Sequence, residues 1–161
     1  MSDLRTVVSA LMLAALVSGC SIPGKAVEAH FWDPCTELSD QALREAGAKP
    51  ETKDDAVKLK GWHVCGWQTT YDTYRLNVAS SEDSLATLRK RAAYADFRVV
   101  EVGGRSGQTY LVAGDRNGGC TVGFDSARGS VHVEMTRRKA GDAACQVALV
   151  VARKLLPNLP S

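Results

Sequence analysis

Five cysteines carry most of the chemistry that this sequence offers. Cys20 follows Val17-Ser18-Gly19, which matches the bacterial lipobox: an aliphatic residue, two small residues, then cysteine. Small side chains let a peptidase hold the extended backbone closely, and the Cys20 thiol is then the acceptor of a diacylglyceryl group. The other four, Cys35, Cys65, Cys120 and Cys145, form an even set that suits disulfides in an exported domain. Of the three pairings, the sequentially nearest is favoured, Cys35–Cys65 and Cys120–Cys145. Each such loop of about 26–31 residues is worth roughly 3–4 kcal/mol in the chain-entropy model. The rival is a metal site using His63 and Cys65, but no Cys-x-x-Cys or paired His motif supports it. No metal or other cofactor is expected.

The remaining reactive side chains fall into no catalytic frame. His30, His63 and His132 titrate nearest neutrality. His30 lies by the tether, and His132 reads as a strand histidine on a wet face beside Glu134. No Gly-x-Ser-x-Gly elbow is present, and the glycine-rich runs 103–107 and 114–119 lack a Walker lysine. Asp33, Glu37, Asp40, Asp54 and Asp55 invite a glycosidase reading, against the plainer one of scattered surface acids. Arg89-Lys90-Arg91 and Arg137-Arg138-Lys139 are short basic clusters that suit anionic head groups or envelope polymers, and are the candidate ligand contacts. Trp32, Trp62 and Trp67 are candidates for a ligand groove, with Trp67 expected to pack near Cys65. An enzyme is therefore not expected.

The elements that must position these groups follow from pattern. The apolar run 7–17 is too short to cross a bilayer core of ~30 Å and suits the hydrophobic region of a signal peptide. Arg5 is opposed by Asp3 ahead of it. Residues 1–19 read as a lipoprotein signal, 20–30 as a lipidated N-terminus and tether broken by Pro23-Gly24, and 31–161 as one domain. A chain of 161 residues with 45% hydrophobic and 24% charged residues can build such a core, and a net charge of +2 gives no case for nucleic acid.

Within the domain, Ser39 caps a short helix that Gly47 ends, and residues 48–60 read as an exposed loop. Alternation predicts strands over 62–70 and 74–79, joined by a hairpin at Tyr71-Asp72-Thr73. Ser81-Glu82-Asp83-Ser84 opens a helix to about Tyr94, with Leu85, Leu88 and Ala92 inward. Strands are predicted over 98–102, 108–113, 120–125 and 130–136. A last helix runs over 143–156, with Asp142 as its cap and Val147, Ala148, Val151 and Leu155 on its buried stripe. The class is α+β, a mainly antiparallel sheet with packed helices.

The lipobox, Gly24-Lys25-Ala26, Asp33-Pro34-Cys35 with its short helix to Gly47, Cys65-Gly66-Trp67, and the late Cys120 and Cys145 together resemble an actinobacterial lipoprotein family, the domain of unknown function 3558. The resemblance spans essentially the whole mature chain. It implies a cell-envelope lipoprotein on the extracytoplasmic face of the membrane, with a sandwich similar to PsbP and Mog proteins, which bind partners. It supports the disulfide pairing and supplies no ligand. The expected partners are the membrane, through the anchor, and an envelope protein, glycolipid or polymer. A lipid or glycolipid carrier is the alternative, and a hydrolase using Asp33, Asp54, Asp55 or Glu134 is a third. Replacing Cys20 by serine is expected to abolish palmitate labelling and either move the protein from the membrane fraction to the medium or leave it uncleaved; unchanged labelling would refute the anchor.

Overall fold

The computed structural model describes residues 31–161 apart from 72, 116–117 and 138–143. The signal, Cys20, the tether, His30, Arg138, Lys139 and Asp142 lie outside the described residues.

Two short helices open the described chain. In α1 (Pro34–Glu37) Asp33 accepts a bond from the Cys35 N–H, and Pro34 needs no partner in the first turn. In α2 (Asp40–Glu45) Ser39 accepts from the Ala42 N–H, and Gly47 turns the chain away at a φ of 87°. The strands are β1 (Lys58–Leu59), β2 (Trp62–Gln68), β3 (Tyr74–Ser81), β4 (Tyr94–Val102), β5 (Arg105–Val112), β6 (Cys120–Ser126) and β7 (Gly129–Arg137). A one-turn helix α3 (Leu85–Leu88) lies between β3 and β4, and α4 (Ala144–Leu155) follows β7. The strands form one antiparallel sheet in the order β1-β2-β3-β7-β6-β5-β4. Two meanders, β1–β3 and β4–β7, thus meet where β3 pairs with β7, Val78 opposite Val133.

One face of this sheet makes the core. Trp67, Leu76, Val78, Phe124, Val133 and Met135 are buried against Ala148, Val151 and Leu155 of α4, with Leu43 and Ala46 completing the layer. Strand periodicity of two and the inward stripe of α4 account for which residues face in. Cys35 in α1 is bridged to Cys65 in β2, and Cys120 in β6 to Cys145 in α4, with Cα separations of 5.2 and 5.0 Å, within the span of disulfides. Trp67 and Cys65 belong to the same buried cluster.

The chain departs from its sequence reading in three places. The helix expected over 81–94 is a single turn. Ser81 is held in β3 opposite Ser130, Arg91 folds back onto Asp83, and Tyr94 already pairs with Val112. Burial of the Tyr94 and Phe97 rings against Tyr110 outweighs the weak helix propensity there. The expected strand 98–102 consequently begins at Tyr94 and carries a bulge between Ala95 and Arg98, where Asp96 takes a φ of 55°. Residues 48–60, read as a loop, contain a 3₁₀ turn at Pro50–Thr52, a bridge from Asp54 to Gly66, and β1.

Replacing Cys120 and Cys145 together by alanine is expected to lower the unfolding free energy by about 3 kcal/mol without changing the fold. Denaturant titration with and without reductant checks this: reductant should weaken the double variant less than the parent.

Candidate functional site

The second face of the sheet is where polar residues gather. Asn77, Glu134, Thr121 and Tyr110 stand opposite one another across β3, β7, β6 and β5. The next row brings Ala79, His132 and Gly123 into line. At one end α3 covers this face: the Leu85 N–H bonds the Asp125 carboxylate, and Leu85 and Leu88 are buried. A Cβ on Gly123 would lie 2.7 Å from the Leu85 side chain and 3.1 Å from the His132 ring, so glycine is what lets these groups close over β6.

The rest of the face is not helix-covered and holds a cavity of about 270 Å³. Its floor is the polar row with His132, its walls include the rings of Trp62, Tyr94 and Tyr110, and Val57, Leu59 and Val112 stand at its rim. Trp62 lies over His132 with ring centres 5.0 Å apart, and Tyr94 meets Tyr110 edge to face at 5.4 Å. The bulge in β4 supports this wall by stacking Phe97 on Tyr110 at 4.9 Å.

His132 is therefore not on a wet face. It is 2% exposed, because Trp62, Tyr110 and the α3 turn close over it. Its two nitrogens sit in a directional chain. Ser130 Oγ donates its one hydrogen to the Asp83 carbonyl at 2.5 Å, so it must accept from His132 Nε2–H at 2.9 Å. Nδ1 is left as the acceptor for the Tyr110 hydroxyl, also at 2.9 Å. Burial pushes His132 down to about 3 and the Tyr110 phenol up. The imidazole is thus neutral near pH 7, with both nitrogens occupied. It braces the floor and holds Tyr110 in place.

Glu134 is the group that faces the cavity with capacity to spare. Its Oε2 accepts from Asn77 Nδ2 at 2.9 Å, and Oε1 has no donor among the described residues. Burial raises its carboxyl above the usual range, the Asn77 bond opposes that rise, and Asp115 adds to it. Burial also raises Tyr94, with Arg91 acting against the rise and Glu134 with it.

The other sequence candidates lie elsewhere. Asp33 caps α1, Glu37 accepts from the Asp33 N–H, Asp40 pairs with Arg44, Asp54 with Arg75 at 2.6 Å, and Asp55 with Lys58. Each of these acids has a local partner, and among the described residues no cluster of His, Cys, Asp or Glu has metal-site geometry. Arg89 sits over Phe97, Arg91 pairs with Asp83, and Lys90 is exposed in the same turn. Arg137 lies over Tyr74. Asp83 is bonded to Ser130, so Arg91 stands near one end of β7 and Arg137 at the other, with the seven strand steps from Ser130 to Arg137, roughly 23 Å, between those ends. The structure does not gather them into one site. Trp32 is buried in the core, and His63 rests against Phe31 with ring centres 4.5 Å apart.

Asn77, Thr121, Tyr94 and Tyr110 are the site residues that sequence reading missed. The available signal was polar side chains at off-core positions of the central strands β3, β6 and β7. A central strand has neighbours on both sides, so such positions are wet only if nothing covers them.

Among known families, one described as a protein of unknown function (DUF3558) matches residues 15–158. The chain belongs to that family. No curated protein and no solved structure matches it significantly. Among the described residues, no helix is long and apolar enough to cross a membrane. In this DUF3558 chain, the cavity on the uncovered face brings together a polar row, three aromatic rings and exposed apolar residues, and a second recess of about 430 Å³ lies among β4, β5 and α4.

The buried neutral His132 makes stability depend on pH. Its native value of about 3 lies below the ordinary 6.5, so the unfolded chain binds the extra proton between those limits. This contribution is fully present above pH 6.5 and is lost as the pH falls toward 3. Glu134, raised in the folded state, works in the opposite direction above its ordinary 4.5. Replacing His132 by glutamine should remove a slope of up to about 1.4 kcal/mol per pH unit from the acid limb of the stability curve. Unfolding titrations of both proteins across that range check it; parallel curves would show that His132 is not buried neutral.

Proposed function

We propose that this protein is a lipid-anchored, extracytoplasmic binding domain of the cell envelope, and that the cavity on its uncovered sheet face is the binding site. The observation that carries the reading is the cavity mouth. Val57, Leu59 and Val112 are three of the five large hydrophobic side chains left exposed among the described residues, and all three stand at this one opening. Exposed apolar groups collected around a recess with a few fixed polar atoms mark ligand sites. His132 has both nitrogens in hydrogen bonds and none free for proton transfer, and the one open polar atom on the floor, Glu134 Oε1, stands without a second group to act with it, which favours recognition over catalysis.

Anchoring and export rest on residues 7–17 and Cys20, and two disulfides suit an oxidising compartment. The likeness to PsbP and Mog proteins is part of this proposal, and the layered sheet and helices are in keeping with it. A lipid carrier is less favoured for this site, because its floor carries the polar row of Asn77, Thr121 and Glu134.

Ala79 lies on the cavity floor, and Ala79→Leu would fill the recess while leaving the core face untouched. In a fragment screen read by amide chemical shifts, hits are expected to move Ala79, Thr121 and Glu134 in the parent and to vanish in the Ala79→Leu variant. Hits confined to other surfaces would overturn the site, and turnover of a bound compound would overturn the non-catalytic reading.

A further inference from the structure

The cavity's polar groups say what kind of ligand belongs in it. Glu134 is a half-buried carboxyl with one oxygen satisfied by Asn77 and the other without a donor among the described residues. Neither Lys nor Arg is among its described lining residues. Among the described residues, the carboxylate of Glu134 therefore has no cationic side chain beside it on the cavity floor. Arg91, which acts on Tyr94 at the wall, is itself paired with Asp83.

A carboxyl held this way is incomplete in the empty protein, since burying a charge without a partner is costly. Three aromatic rings, Trp62, Tyr94 and Tyr110, stand around the same space. Aromatic faces attract cations, most strongly where water is excluded. Anions are disfavoured by the carboxylate. A sugar would find too few polar partners among Val57, Leu59, Val64 and Val112. A bare metal ion would find one carboxylate where it needs several oxygens. The ligand class that matches both one charge and apolar walls is a cation clothed in alkyl groups.

We propose that the cavity binds a small organic cation, an alkylated ammonium, with its charge beside Glu134 Oε1 and its alkyl surface against Trp62, Tyr94 and Tyr110. This inference rests on the cavity being the binding site. His132 contributes by position only: its bond to Tyr110 fixes the phenol, and with it the ring that lines the cavity. Both the carboxylate and the aromatic faces therefore favour a positive guest.

The test compares choline with neohexanol, in which carbon replaces the charged nitrogen and the shape is kept. Titrations followed by amide shifts at Thr121 and Glu134 are expected to show choline binding at least about tenfold tighter than the alcohol. Glu134→Gln keeps the shape and the Asn77 contact, and should bring the two affinities together. Equal binding of both probes to the parent protein, absence of choline binding, or an unchanged preference in Glu134→Gln would each overturn the proposal. The parent comparison stands alone if the variant fails to fold. Failure here with fragments still bound at Ala79 and Thr121 would sink the cation but keep the cavity; fragments bound only elsewhere would sink both.

Discussion

Both disulfides fasten helices to the same face of the sheet. Cys65 and Cys120 point the way Val78 and Phe124 do, and their partners Cys35 and Cys145 hold α1 and α4 down on that side. The rest of the architecture follows from this one-sidedness. A seven-stranded sheet covered by helices on one face must deal with the other face by different means. Here those means are a one-turn helix at one end, a bulged edge strand that folds Phe97 inward, and a short β1 beside β2. Where they stop short of meeting, a cavity remains.

The polar floor of that cavity is stable because every step of its central chain has a direction. Asp83 offers only a carbonyl, which fixes Ser130 as donor, which fixes His132 as the Nε2–H form, which fixes Tyr110 as donor. A half-satisfied network would be costly at this depth, whereas a complete one specifies a unique arrangement. The arrangement also ties β5 and β7 to the segment before α3, so the floor of the cavity and the chain that borders it are fixed by the same hydrogen bonds.

Much of the core was legible in the sequence. The alternation of Leu76 and Val78, and of Val131, Val133 and Met135, gave the inward face of β3 and β7, and Leu155 with Val151 gave that of α4. Ser39 and Gly47 bounded α2 through local chemistry, which neighbours seldom override. The site was less legible for a definite reason. His132 and Glu134 alternate with core residues, a pattern equally suited to a solvated face and to a second buried one. What decides between them is cover supplied by Trp62, Leu85 and Tyr110, distant in sequence and joined only by sheet register. The helix over 81–94 failed on the same ground, since its acids and bases satisfied the helix rules while Tyr94 and Phe97 had a better place on the sheet.

The bridge between Cys35 and Cys65 has a mechanical meaning too. Tension applied to the N-terminal end of the domain reaches Cys35 and crosses the covalent link to Cys65, in the middle of β2. The intervening α2 and β1 lie in the loop that this bridge closes. The load passes to β2, all seven residues of which pair with β3, from Trp62–Ser81 to Gln68–Arg75. The short α2 and β1 thereby lie off the direct path of a pull on the N-terminal end of the domain.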